Sequence, residues 1–358
     1  MTERNRPQQT TGGSLALPAE MRAMVFDGPG RPLKPVRLPV PRPGDGEVLI
    51  RVDVCGVCRT DLHLVDGELP DPLPAVIPGH EIVGRIVAVG ARVAALGFPH
   101  LQPGGRVGVG WLAATCGLCR FCREGHENLC ERALFTGYTH HGGYAEYHLA
   151  DAGFVYPLDV ALDDAHAAPL LCAGLIGYRS YRMIGDALVV GLYGFGAAAH
   201  ILCQLMVAEG RRVHAFTRPG DQAAQAFARR LGAVWAGDST EMPPEPLDAA
   251  LIFAPVGALV PAALKAVRPG GRVICGGIHM SDIPGFAYRD LWAERTIQSV
   301  ANLTRADADA FLGRARQLSL ATHVTPFGLE EANAALDALR RGQLQGAAVL
   351  VIGEGEDR

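Results

Sequence analysis

The chain has 358 residues, 49% hydrophobic and 20% charged, with a formal net charge of −4. That length supports a large core and two domains, and the mild acidity argues against nucleic acid or anionic membranes as partners. No run of about 20 apolar residues could cross a bilayer, and the polar opening MTERNRPQQTTGGSLALPAE lacks an apolar signal core, so a cytoplasmic protein is expected.

Residues 1–20 read as a flexible tail, or alternatively as the remnant of an expression tag. From Ala23 to about Ala150, alternating apolar runs between Gly/Pro turns predict a β-rich domain. Examples are EVLIRVDVCGV (47–57), EIVGRIVAVG (81–90) and HGGYAEYHLA (141–150). The character changes near Leu170. ALVVGLYGFGAAAHILCQLM (187–206) predicts an apolar strand, a glycine turn and a helix. RVHAFT (212–217), LDAALIFAP (247–255) and GGRVICGG (270–277) predict further strands, and DQAAQAFARRLGA (221–233) a helix. Such alternation implies a parallel sheet flanked by helices. A last helix (EEANAALDALRRG, 330–342) and an apolar strand (AAVLVI, 347–352) are expected to return to the first domain. The expected division is 21–173 with 304–358, and 174–303 inserted between them.

Within GFGAAA, Gly194, Gly196 and Ala199 fit the dinucleotide fingerprint, in the required strand–turn–helix context. Gly194 permits the turn, Gly196 lets backbone approach a pyrophosphate, and Ala199 allows close helix–strand packing. Phe195 and Ala197 complete the turn, and the helix start offers free N–H groups to phosphate. The second strand ends in Thr217-Arg218 rather than an acid. Nothing there repels a 2′-phosphate and Arg218 could pair with one, so the reading leans to NADP. A solvated Arg218, with NAD accepted too, is the alternative.

Nine cysteines in a reducing compartment point away from disulfides. Cys116, Cys119, Cys122 and Cys130 have the spacing of a closed tetrahedral zinc site, which is structural because no position stays open. Arg120, Arg123 and Arg132 are expected to offset its negative charge, together with loop N–H groups.

Three segments remain: CGVCRTDLH (55–63), PGHE (78–81) and LLCAGLIGY (170–178). Alone, Cys55-x-x-Cys58 reads as a redox pair or half a zinc site. Together with the four-cysteine lobe, the segments resemble the zinc-dependent alcohol dehydrogenases of the medium-chain dehydrogenase/reductase superfamily. WLAATCGLC (111–119) and SVANLTR (299–305) look most like the bacterial, propanol-preferring branch.

The resemblance implies a GroES-like β-rich catalytic domain carrying an inserted Rossmann-fold cofactor domain, and two zinc ions per chain. It implies that Cys58, His80 and Cys172 hold the catalytic zinc, with the fourth position left to water or substrate. A Cys₂His donor set with one open position is in itself a catalytic zinc arrangement. By the same resemblance Glu81 stands behind the metal, and Asp61 accepts the other N–H of His80. Thr60 hydrogen-bonds the alcohol oxygen and passes the proton through the nicotinamide ribose, and His63 delivers it to solvent. Arg59 faces the pyrophosphate. Trp111 either walls the substrate pocket or packs in the core.

Ala347 stands where the family often has an arginine against the pyrophosphate. Cys55, Cys203 and Cys275 are left as packed thiols. The implied activity is hydride exchange between primary, or also secondary, alcohols and NAD or NADP, giving aldehydes or ketones. The alternatives are an NADPH-dependent aldehyde reductase using the same site, and a non-catalytic NADP(H) or redox sensor. A homodimer or homotetramer, joined near TIQSV (296–300), is also implied.

Overall fold

A computed structural model describes residues 17–277, 279–344 and 346–353. Residues 1–16 of the expected tail lie outside the described residues. Glu20, counted with that tail, instead opens a strand, Glu20–Val25, because it pairs across a hairpin with Pro39.

The first large sheet is built around Glu47–Val57. Its apolar pattern, continuous at the start, alternating in the middle and continuous again at the end, buries Val48, Leu49, Ile50 and Val52, each worth about 1.5–3 kcal/mol of burial. Along one edge it pairs antiparallel with Glu81–Val89. Its other edge is shared by Tyr147–Asp151 at the start and Ala347–Val351 at the end. The final strand does return to the first domain, and the preceding helix spans Ala332–Arg340. HGGYAEYHLA is a strand only from Tyr147. Gly142 and Gly143 come earlier, where a Cβ would lie 2.1 Å from Gly79 O and 2.4 Å from the Ile82 side chain.

The second sheet has six parallel strands. Numbered within this sheet from Val189–Tyr193 to Thr296–Ser299, their order is 3-2-1-4-5-6, the doubly wound dinucleotide-binding arrangement. Its first strand, Val189–Tyr193, is buried throughout because both faces are covered. The order reverses between the first and fourth strands, and the Gly194 turn lies at that crevice. Helix Ala173–Met183 bridges the two sheets, packing on helices Ala197–Ala208 and Arg305–Gln317. Arg179 and Arg182 each reach Asp307 at 2.6 Å, fastening that bridge.

Candidate active site

Cys58 directly follows the central strand, which ends at Val57, and is the N-cap of helix Arg59–Val65. Asp61, one turn into the helix, accepts from Cys58 N–H at 2.8 Å and from Gly79 N–H at 3.3 Å. Tyr144 OH also donates to it, at 3.1 Å. Asp61 Oδ1 lies 3.5 Å from His80 Nδ1, longer than a good hydrogen bond. The carboxylate thus spends its bonds on the backbones that carry Cys58 and His80. Gly79 has φ +92°, and a Cβ there would strike the Tyr144 ring at 2.3 Å and Cys55 Sγ at 2.8 Å. The glycine of PGHE is therefore required by backbone and by packing.

Cys172 enters from the other end of the domain, at the start of helix Ala173–Met183. Cys58 Sγ and Cys172 Sγ are 3.7 Å apart, and His80 Nε2 is 3.3 Å from Cys172 Sγ. A tetrahedral zinc with bonds of about 2.3 Å needs sulfurs about 3.8 Å apart, so the donors fit the ion. The Cys172 thiol pulls Cys58 well below the usual thiol range. Glu81 is buried, its Oε2 has no partner among the described residues, and burial holds its carboxyl well above the usual range. Gly56 leaves room for it: a Cβ there would sit 2.0 Å from Glu81 Oε2.

Thr60 Oγ1 lies 3.7 Å from Cys58 Sγ. His63, one turn further on, is half-buried; its Nδ1 meets Glu68 Oε2 and its ring lies 4.3 Å from His279. Trp111 stands edge-on to His80 at 4.9 Å and stacks with Phe135 and Tyr138 at 5.3 and 5.9 Å. It therefore borders the metal donors as the first of a stacked aromatic row. Cys55 is fully buried, close to where side chains at Gly79 and Gly143 would be, and desolvation pushes its thiol well up.

The second cysteine cluster lies on a separate lobe. Its sulfurs are 3.9 Å apart for Cys116–Cys122, 3.5 Å for Cys119–Cys122 and 3.5 Å for Cys116–Cys130, again tetrahedral edges. Loop N–H groups of Cys116, Cys119 and Arg132 donate to these sulfurs. N–H groups of Leu118 and Cys119 draw the Cys116 thiol down to about 5. The Arg132 guanidinium is raised by its hydrogen bond to Cys116, whereas Arg120 lies 3.8 Å from Glu124 instead.

At the glycine turn, Gly194 has φ +88°, and a Cβ would meet Ala254 at 2.9 Å. A Cβ on Gly196 would meet nothing within 4 Å, which leaves open space beside the backbone at the start of helix Ala197–Ala208. Ala199 is fully buried, and Phe195 stands edge-on to Phe227. Thr217 is buried, accepting from Gln225 and donating to Gly237 O. Asp238, in the adjoining strand, is spent on Gly220 N–H and Gln225. Arg59 and Arg218 are exposed and make no ion pair among the described residues.

Sequence reasoning had missed Tyr144, Glu68, His279, Phe135 and Tyr138. Glu68 had a local signal, a carboxylate just beyond the helix that carries His63; the others act across the fold.

Residues 44–160 match the family model for the alcohol dehydrogenase GroES-like domain. The chain is 45% identical over 346 residues to "Probable alcohol dehydrogenase AdhA" of Mycobacterium tuberculosis, covering 95% of this chain and 99% of that protein. It is 35% identical over 343 residues to an alcohol dehydrogenase of Moraxella sp., covering 92% and 99%. Among solved structures, acetophenone reductase from Geotrichum candidum in complex with NAD superposes with a TM-score of 0.83 at 26% identity, over 94% of this chain and 98% of that one. The cobalt- and zinc-bound thermostable alcohol dehydrogenase of Pyrobaculum aerophilum gives 0.80 at 25% identity, over 93% and 99%. With two tetrahedral donor sets on a dinucleotide-binding fold and relatives matched over nearly their full length, the chain belongs to the zinc-dependent alcohol dehydrogenases of the medium-chain dehydrogenase/reductase superfamily.

Proposed function

We propose that Cys58, His80 and Cys172 hold the catalytic zinc of an enzyme that interconverts alcohols with aldehydes or ketones. The observation that carries this reading is the convergence of these three donors beside Thr60. Zinc held there supplies Lewis acidity toward the substrate oxygen, and a nicotinamide bound at the glycine turn supplies the hydride acceptor or donor.

The chain's own residues do the rest. Asp61 braces the two backbones that carry Cys58 and His80. Thr60 Oγ1 accepts a hydrogen bond from the alcohol and relays the proton by giving up its own, and His63, paired with Glu68, passes the relayed proton to solvent. Glu81 stands behind the donors, its Oε2 without a partner among the described residues and free to approach the ion. Trp111, Phe135 and Tyr138 form the aromatic side of the substrate space, which favours slim primary alcohols. Cys116, Cys119, Cys122 and Cys130 hold the structural zinc.

Arg59, Gly194, Phe195, Gly196, Ala197 and Ala199 form the cofactor cradle, with Thr217 fixing the end of the second strand. The exposed Arg218 favours NADP. Nine cysteines, none of them in a disulfide, fit the cytoplasm. A homodimer or homotetramer would form along strand Thr296–Ser299, among the described residues an edge of its sheet, with Trp292 and Tyr288 exposed close by in sequence.

Two zinc equivalents per chain and alcohol-dependent NAD(P)H formation are expected. Arg218→Ala should raise KM for NADP while leaving KM for NAD nearly unchanged. A protein that binds no zinc, or that turns over with zinc removed, would refute the metal reading.

A further inference from the structure

Among the described residues, a further group of metal-ligating side chains lies outside both zinc sites. His63 belongs to helix Arg59–Val65 and Glu68 to the turn after it. His279 comes from the opposite domain, just after strand Val267–Cys275. Their donor atoms lie within 4.8 Å of one another. The two imidazole rings face at 4.3 Å with a 39° tilt, and Glu68 Oε2 meets His63 Nδ1.

We propose that His63, Glu68 and His279 form a third divalent-metal site, suited to Zn²⁺ or a similar transition ion, that spans the domain cleft and inhibits turnover. Two imidazoles and a carboxylate are the donors that zinc, nickel and copper prefer, whereas magnesium and calcium call for oxygen alone. Glu68 is anionic at neutral pH: His63, and at longer range His279, hold its carboxyl below the usual range. Among the described residues no lysine or arginine pairs with it. An ion would take the place of the proton shared by His63 and Glu68, with His279 as the third ligand. Water would complete the coordination on the partly exposed side.

Two consequences follow from the position. The ion fastens the helix that carries Thr60 to the cofactor domain, opposing any opening of the cleft. It also occupies the His63 nitrogen that carries protons. This inhibitory effect rests on the proton role proposed above for His63, whereas the binding itself does not.

The test uses protein already holding its two zinc equivalents, titrated with Zn²⁺ alone by calorimetry while turnover is followed in parallel. A third equivalent is expected, with activity falling as it fills. His279→Ala and His279→Asn, checked for folding by circular dichroism and Tm, should bind this equivalent more than about tenfold more weakly and resist inhibition. No third equivalent, or equal affinity in the variants, overturns the site. A third equivalent that needs His279 yet leaves turnover untouched supports the site but overturns its inhibitory role, and with it the proton role of His63.

Discussion

At the scale of residues, two cysteines three positions apart have opposite surroundings. Cys58 meets Cys172 and Thr60, and its thiol is pulled well below the usual range. Cys55 is sealed in the core, and burial drives its thiol up. On the proposed assignment of Cys58 as a catalytic zinc ligand, Cys58→Ser should lose one of two zinc equivalents and at least about a hundredfold in kcat. Cys55→Ser should keep both equivalents and most of its activity, at the cost of some stability. Metal analysis beside steady-state kinetics checks both, and equal losses would make Cys55 a functional partner. Cys58, His80 and Cys172 were legible because their neighbours, RTD, G-E and the apolar run around LLC, are dense local patterns. His279 and Phe135 carry no such pattern. They reach the site only because two domains, or a loop and a sheet, close on each other.

At the scale of elements, the two glycines of the turn after strand Val189–Tyr193 do different work. Gly194 is left-handed and pressed against Ala254, so it serves the fold. Gly196 has ordinary φ, −104°, and open space, so it serves whatever lies beside the backbone. Gly194→Ala is expected to lower Tm, costing about 1–3 kcal/mol from crowding and backbone strain. Gly196→Ala should leave Tm within a degree or two and raise KM for the nicotinamide cofactor instead. Thermal melts and cofactor titrations separate the two; the reverse pattern would undo the assignment. Strands 47–57 and 212–217 were read to the residue because each is bounded by turn chemistry and patterned by burial. HGGYAEYHLA misleads because its alternation starts only after the adjacent Gly142 and Gly143, which answer to close backbone approach rather than to pleating.

At the scale of the whole molecule, acid stability should be limited by two buried imidazoles, one in each domain. Desolvation lowers His148 to about 3 and His200 to about 4. In the unfolded chain both titrate near 6.5. The unfolded state therefore binds more protons between those values, and stability is complete above pH 6.5 and falls as the pH drops toward 4. Each histidine should cost about 1 kcal/mol by pH 5.5. Urea midpoints at neutral pH and at pH 5.5 measure the loss, and His200→Gln should flatten it; identical slopes would remove His200 from the account. The pairing of Ala348–Val351 with Val54–Val57 has a consequence in time rather than in energy. A ribosome makes Cys58, His80 and Cys172 early, then the whole parallel sheet, and only near residue 350 the strand that finishes the sheet it began first. The inserted domain can mature on the nascent chain while the metal-bearing one waits. Nascent chains stalled just before residue 347 should resist protease across 189–299 and be cut within 47–157. Protection of both regions in such chains would mean that the last strand is dispensable for closing the first domain.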